Sequence, residues 1–588
     1  MNAMIRGKLN IAITIAILAV FAFIAQGRTF ITSKGLTFDE SLYVTAGYAY
    51  LKGANLKLNN EHPPLIKYIL GLPNLIAAND NYTDTNENKW RRARRFLGSE
   101  VSDRDAFIRR ARYANLVLGV FLIAILFIWS YRLFGPAAAA FTAVLAAFEP
   151  NLIAHSSLAT LDVGATAFFI LFLYILWEWH NHLTCNWLHA VGLATGLAVC
   201  TKFSNFGLCF GVVVPTILIT TYVEQGSPRG CFKIRAVLKI GLGRLVRVGV
   251  IALSVLVIIY QVHSIGEFFL GFGDQASHAG HGHGSYFFGQ YGKHGWASYY
   301  LMAFLLKIPL GTLVIIILSL AFYKRGKALN WRDGGYIVGI LAFMMLLFTL
   351  GRIHIGIRYV LPALALFILL AGRFGSCLDF KNAKLLTLGV LSLTLWSVQA
   401  SVQTAPHYLA YFNEIVGGSN GGFRYLSDSN VDWGQDVAQL SLWSANKPTL
   451  LIADVFSNVK EFYPIDTIVA KAKQSNDALS FVKTLEPKRD LVAISATALM
   501  RPGQEELAYP VSTYTWPLIT TIGHSIFIYD ITDIPNAYVT LAQHFLQQAI
   551  TDKYPHYNEI AKWLMLRAKA RHPNNNAITA ALIVMGSR

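Results

Sequence analysis

Two carboxylates, a histidine and a lysine stand close together early in the sequence, in Thr37-Phe38-Asp39-Glu40-Ser41-Leu42-Tyr43 and in Asn59-Asn60-Glu61-His62-Pro63-Pro64-Leu65-Ile66-Lys67. Groups of these types can take a proton from an attacking hydroxyl or hold an anion. Adjacent helical residues diverge by about 100°, so Asp39 and Glu40 do not converge on one reacting atom. Glu40 fits the return bond of a capping box opened by Thr37. Asp39 is then either an ordinary first-turn acid at the positive helix end or the acid free to act as a general base on a substrate, and the two readings are compatible. Both acids are carried forward as candidate catalytic residues.

Further charges stand where apolar runs begin or end. Lys67 falls in the first turn of a helix predicted over Leu65–Leu70, where free backbone N–H groups favour an anion; snorkelling to the membrane interface is the competing reading. Lys202, in Cys200-Thr201-Lys202-Phe203-Ser204-Asn205, separates two apolar runs, a position at which charge is more often functional than decorative. Arg352, His354 and Arg358 flank a short turn, Gly351–Tyr359, where headgroup anchoring competes with ligand contact. Asp162, directly after His155-Ser156-Ser157, either caps its helix or faces a site.

Two runs invite a metal. In His278-Ala279-Gly280-His281-Gly282-His283 the interleaved glycines give imidazoles no fixed geometry, so the run reads as a flexible substrate-covering loop; no metal ligands are assigned, and a divalent ion as cofactor stays open. Asp428-Ser429-Asn430-Val431-Asp432 starts like a calcium loop, but its sixth position is Trp433 rather than Gly and its twelfth Gln439 rather than Glu. A turn followed by a helix over Asp432–Trp443 explains these acids more simply.

The elements that position these residues are set by hydropathy. Of the 588 residues 54% are hydrophobic and 14% charged, too apolar a balance for a soluble chain. The formal net charge of +17 comes from Lys and Arg lying mostly between apolar runs, not in one stripe, which argues for membrane orientation and lipid contact and against nucleic acid. Apolar runs fall at Ile11–Ile24, Ala114–Ser130, Ala137–Phe148, Val163–Trp177, Leu188–Val199, Phe206–Thr220, Val246–Val262, Tyr299–Ala321, Tyr336–Leu350, Val360–Gly372 and Leu385–Ala400, about eleven spans by the hydropathy criterion. An odd count places the chain ends on opposite sides.

Basic loops at Arg6 and Lys8, Arg132, Arg229–Lys239, Lys324–Arg332 and Arg373–Lys384 all fall on one face, expected to be cytoplasmic. The opposite face receives 28–112, 149–162, 263–296 and the tail from Ser401. The expected fold is therefore a polytopic α-helical membrane protein, with residues 1–401 as the membrane domain, 27–112 as its first outer loop and 402–588 as an extracytoplasmic C-terminal domain of soluble α/β character. Strands are predicted at Thr449–Asp454, Leu491–Ser495 and Ser525–Tyr529, and helices at Asn536–Ile550 and Tyr557–Ala570. Cys185, Cys200, Cys209, Cys231 and Cys377 fall in spans or on the cytoplasmic side, so the outer parts need no disulfide framework. A bacterial inner membrane, with the N-terminus cytoplasmic, suits this pattern.

The Phe38-Asp39-Glu40 triplet, followed by His62-Pro63-Pro64-Leu65 with Lys67, resembles the protein O-mannosyltransferase superfamily of GT-C glycosyltransferases. The resemblance continues in Asn151–Asp162 and Gly284–Pro309. A third block, Tyr411–Glu414 through Asp428-Ser429-Asn430-Val431-Asp432-Trp433-Gly434-Gln435-Asp436, is similar to a prokaryotic subset. The resemblance implies a polyprenyl-phosphate sugar donor, hexose and mannose-like, and inverting transfer to a hydroxyl of a protein, glycan or lipid acceptor on the noncytoplasmic side. It makes Asp39 the expected base. A departing phosphate needs positive groups beside it, and Lys67, Lys202 and Arg358 become the candidates, with His62 and Asp162 as further substrate-binding residues. A transporter would show related halves and interrupted helices with charges at mid-membrane, neither of which the sequence displays. A noncatalytic envelope assembly factor is separated from an enzyme by substitution of Asp39.

Overall fold

A computed structural model describes residues 3–77, 80–85, 87–225, 231–321, 331–379, 381–445, 450–455, 457–465, 467, 489–501, 507–551 and 556–586. Eight helices among them are long and apolar enough to cross a bilayer: Arg6–Ser33, Arg104–Phe134, Asp162–His182, Phe203–Glu224, Ile234–Tyr260, Asp333–Leu350, Ile357–Cys377 and Lys384–Thr404. Two further pairs pass the same test but are bent, Pro136–Ala147 with Pro150–Ser156 by 65° and Tyr299–Lys307 with Leu310–Ala321 by 119°. Pro150 and Pro309 stand at these bends, where the missing N–H breaks the helical ladder. The expected count of about eleven is thus reduced to eight, or ten with each bent pair taken as one span. The remaining expected span, Leu188–Val199, lies in a helix of 15 residues, Cys185–Val199, which at about 1.5 Å per residue falls short of a hydrocarbon core roughly 30 Å thick. The chain is a multi-pass integral membrane protein.

Helix α1 (Ala3–Ser33) leads into the first loop, which holds α2 (Glu40–Leu51), α3 (Leu65–Ala77) and α4 (Lys89–Arg95) before the span α5 (Arg104–Phe134). α2 and α3 pack backbone to backbone because glycine stands at both contact points. A Cβ on Gly47 would lie 2.0 Å from the Lys67 carbonyl oxygen, and one on Gly71 2.4 Å from the Gly47 carbonyl carbon. Gly71→Ala is therefore expected to force α3 off α2, costing about 1–3 kcal/mol, read as a lower thermal midpoint of the detergent-solubilised protein. Gly273→Ala, at an open position, serves as the unaffected control.

After α5 come α6 (Pro136–Ala147), α7 (Pro150–Ser156), α8 (Asp162–His182), α9 (Cys185–Val199), α10 (Phe203–Glu224), α11 (Cys231–Tyr260) and α12 (Ile265–His281). His278 and His281 belong to the last turns of α12, and Gly282 ends it at φ +77°, so the histidine run is a helix terminus and not the loop expected from its glycines.

Beyond the last span the chain runs through short 3₁₀ turns between Tyr408 and Asn430 before the helix Val437–Ala445. Residues 432–436, expected to begin that helix, instead form a turn around Gly434 at φ +92°. A four-stranded sheet follows, built from β1 (Leu450–Asp454), β2 (Leu491–Ser495), β3 (Leu518–Ile522) and β4 (Ile526–Asp530), in spatial order β1-β2-β4-β3. β1 and β2 are parallel, and the other pairings antiparallel. Three of these strands match the expected ones; β3, an edge strand whose first residues are exposed, lacks the apolar run that marked the others. The helices Pro535–Thr551 and His556–Arg571 stand where two were expected, and Asn576–Gly586 adds a third.

The C-terminal region docks on the first loop. Lys34 at the end of α1 forms a buried pair with Asp436 at 2.5 Å, whose other oxygen accepts from Ser525 of the sheet domain at 2.6 Å. The Gly35 N–H donates to the Gln435 carbonyl at 2.8 Å, and the Phe38 N–H to the Trp433 carbonyl at 3.0 Å.

Candidate active site

Asp39 immediately precedes α2, in the turn that these backbone bonds fix. Its carboxylate accepts from Arg358 Nη1 at 3.2 Å. The same nitrogen lies 3.8 Å from Asp162, whose other oxygen is 2.7 Å from Lys202 Nζ. Asp39, Arg358, Asp162 and Lys202 thus form one alternating chain of charge, drawn from the first loop, the turn Ile357–Val360, the head of α8 and the break before α10. Asp162 makes no capping bond to its own helix, which leaves its carboxylate to the two cations.

A cavity of about 540 Å³ opens beside this chain, with Lys202, His62 and Tyr359 in its wall. Glu61 and Lys89, paired with each other, and Asp274 and His278 of α12 line its other parts. Lys202 Nζ sits 4.5 Å from the centre of the Tyr359 ring, and Arg358 Cζ 4.1 Å from that of Trp433. Both cations therefore lie against aromatic faces, which attract them without neutralising them. Arg358 Nε is buried with no hydrogen-bond partner, as is His62 Nδ1. Burial, reinforced by the nearby Lys202 and Lys67, pushes the His62 imidazole well below its usual range and keeps the ring neutral.

Burial also raises the Asp39 carboxyl above the usual carboxylate range; Arg358 opposes the shift, while Asp162 and Asp428 add to it. A carboxylate raised in this way binds a proton more readily than an exposed one, which suits a base.

Two of the expected site residues lie outside this group. Glu40 is wholly buried and points the other way. Arg112 grips it through Nε at 2.7 Å and Nη2 at 2.6 Å, and the N–H groups of Ala159 and Thr37 donate to it at 2.7 and 2.9 Å. The Thr37 N–H bond is the return half of the expected capping box; the Thr37 hydroxyl, however, donates to Glu40 at 2.9 Å and caps nothing. Lys67 is likewise fully buried: its Nζ donates to the carbonyls of Asn59 at 2.5 Å and His62 at 2.7 Å, and burial pulls its ammonium down to about 7. It ties the His62 loop to α3, with the neighbouring Tyr50 ring 5.8 Å away.

Three groups that sequence reasoning names without giving them a site role lie beside this charged chain: Tyr359, Trp433 and Asp428. Tyr359 follows Arg358 directly, and only that adjacency marked it. Among the described residues no cluster of three or more His, Cys, Asp or Glu side chains has the geometry to hold a metal ion.

The family model for dolichyl-phosphate-mannose-protein mannosyltransferase matches residues 15–264. No curated protein matches the chain. Similar solved structures include ArnT from Cupriavidus metallidurans in the apo state, 15% identical over 89% of this chain and 98% of that one, with a TM-score of 0.46. The oligosaccharyltransferase of Archaeoglobus fulgidus tethered with an acceptor peptide is 11% identical over 86% and 72%, TM-score 0.42. The Saccharomyces cerevisiae protein O-mannosyltransferase Pmt1-Pmt2 complex bound to the sugar donor is 18% identical over 45% and 34%, TM-score 0.33. The matched segment, less than half of the chain, contains Phe38-Asp39-Glu40, His62-Pro63-Pro64, Asp162 and Lys202, and over that segment the chain is similar to the dolichyl-phosphate-mannose-protein mannosyltransferase family.

Proposed function

We propose that this protein transfers a hexose, mannose-like, from a polyprenyl-phosphate carrier to an acceptor hydroxyl, with inversion at the transferred carbon. The observation that carries this reading is the chain Asp39–Arg358–Asp162–Lys202, whose Lys202 end lines a cavity. Asp39 takes the proton of the attacking hydroxyl. Arg358 and Lys202 receive the charge that gathers on the phosphate as its bond to the sugar breaks, and Asp162 holds the two cations in register. Glu40 and Lys67 serve as supports of this arrangement, and His62 contributes a neutral wall.

The reading extends to topology. Residues 1–401 are the membrane domain and 402–588 a noncytoplasmic domain, in a bacterial inner membrane with the N-terminus cytoplasmic. The direct bonds between residues 33–38 and 433–439 support a common side for the first loop and the C-terminal domain. Ends on opposite sides require an odd number of crossings. Acceptors are proteins, glycans or lipids presented on that side.

The test is incubation of purified protein with a panel of polyprenyl-phosphate sugars, following release of the carrier phosphate. Turnover of one donor, lowered about a thousandfold in Asp39→Asn, is the expected result; a folded wild type inactive on every donor and acceptor rejects the proposal. Lys202→Met is expected to raise KM for the active donor by roughly 10- to 100-fold, the worth of a charge-assisted bond to phosphate, in the same assay.

A further inference from the structure

We propose that the turn 428–436 is a positioning clamp that sets the Arg358 guanidinium against Asp39, with Trp433 as its central residue. The proposal rests on the roles given above to Asp39 and Arg358 and adds residues to neither. On one side the clamp holds the cation's loop: the Ile357 N–H donates to Asn430 Oδ1 at 3.0 Å, and the Ser429 hydroxyl donates to the Ile355 carbonyl at 2.5 Å. On the other side it holds the base's loop, through the Trp433 and Gln435 carbonyls that accept from Phe38 and Gly35 at 3.0 and 2.8 Å. Trp433 belongs to both sides: its carbonyl accepts from Phe38, and its ring lies 4.1 Å from Arg358 Cζ.

The clamp is stiffened from within and from behind. Gln435 closes the turn on itself, accepting from the Trp433 N–H at 2.7 Å and donating to the Val431 carbonyl at 2.8 Å. Gly434 is required at its positive φ, and a Cβ there would also meet Val459 at 2.8 Å. The sheet domain seizes Asp432, whose side chain accepts from the Thr497 N–H at 3.2 Å and whose carbonyl accepts from the Thr497 hydroxyl at 3.0 Å. The C-terminal domain therefore reaches the site through this turn, contributing no group to the reaction but fixing where two of its groups stand. Arg358 Nε has no protein partner, so bonds alone do not fix the guanidinium plane; the indole face does.

The groups whose charge Asp39 feels are Arg358 from the turn that opens the span Ile357–Cys377, Asp162 from α8, Asp428 from the clamp and the Tyr43 hydroxyl from α2. Of these only Arg358 favours the carboxylate, so releasing it makes Asp39 hold its proton to higher pH. In Trp433→Leu, kcat on the active donor is expected to fall about 10- to 100-fold and the acid limb of its pH profile to move up by about one unit, while Trp433→Phe, which keeps a ring under Arg358, restores both. A fall in kcat with the limb unmoved, or Phe no better than Leu, overturns the clamp.

A second measurement needs no turnover. Hydrogen exchange on the full-length protein should find that Asn430→Ala, which removes the acceptor for Ile357 together with the donor to Tyr299 and Ser427, also speeds exchange in the peptide carrying Gly35 and Phe38. Acceleration confined to the Ile357 peptide overturns the proposal. Should no donor react, the proposed activity fails while this exchange result still decides the clamp.

Discussion

Asp39→Asn is expected to give a folded protein whose turnover on its donor is lower by about a thousandfold, the usual worth of a positioned general base. The amide keeps a hydrogen-bonding contact to Arg358, 3.2 Å from the native carboxylate, and the Arg358–Asp162–Lys202 segment is untouched, so donor binding persists. The pH profile provides the second check. Burial lifts the Asp39 carboxyl above the ordinary range, and the base works only unprotonated. The wild-type rate must therefore fall as pH drops through that raised value, earlier than an exposed carboxylate would allow, and this limb must vanish in the residual activity of Asp39→Asn. Retention of the limb would move the base to another residue.

The second large effect concerns stability. Arg112→Met leaves Glu40 buried without its cation and orphans the carbonyls of Lys34 and Gly35, which Arg112 holds at 2.7 and 2.6 Å. Breaking a buried pair from one side costs about 3–5 kcal/mol, enough to unfold many domains. The expected result is loss of monodisperse protein on size exclusion, or a much lower thermal midpoint. Burial alone would raise the Glu40 carboxyl; Arg112 and the N–H donors of Ala159 and Thr37 outweigh it and hold the group below the ordinary carboxylate range. The stability this supplies is full above the carboxylate's unfolded value and is lost as pH falls through the lowered folded one. Glu40→Gln separates the two roles the sequence allowed for this acid: a catalytic residue gives a folded, inactive enzyme, whereas the pair seen here gives a poorly folded one.

These outcomes bear on what the sequence could convey. Spans with long apolar runs, such as Asp162–His182, were legible because one helix must satisfy its own backbone in lipid. Broken spans were not: Tyr299–Ala321 reads as one run, yet Pro309 turns it by 119°. At the site, Asp39, Asp162, Lys202 and Arg358 each stood at the edge of an apolar run, a cue that costs nothing to read. Their convergence was invisible, since Arg358 lies 319 residues from Asp39. Lys67 carried the same cue and turned inward, because the carbonyls of Asn59 and His62 needed a donor that no periodic pattern announces. Arg112 carries no such cue: in the sequence it is only the last residue of the first outer loop, and its partner lies 72 residues earlier. The turn 428–436 was recognised as a block of polar residues without a role, because its partners, Phe38 and Ile357, are backbone groups that leave no trace in residue type.

The alternating row of charges has a consequence for the turnover cycle. Within the row the two carboxylates and two cations balance, so on the proposed reaction no excess positive charge holds the singly charged phosphodiester there. In the proposed reaction Asp39 then carries the acceptor's proton and no longer competes for Arg358, just as the departing carrier becomes a phosphate monoester with a second negative charge. On that reading the spent carrier is gripped harder than the fresh one, and the row acts as a product brake that opens when Asp39 surrenders its proton to water.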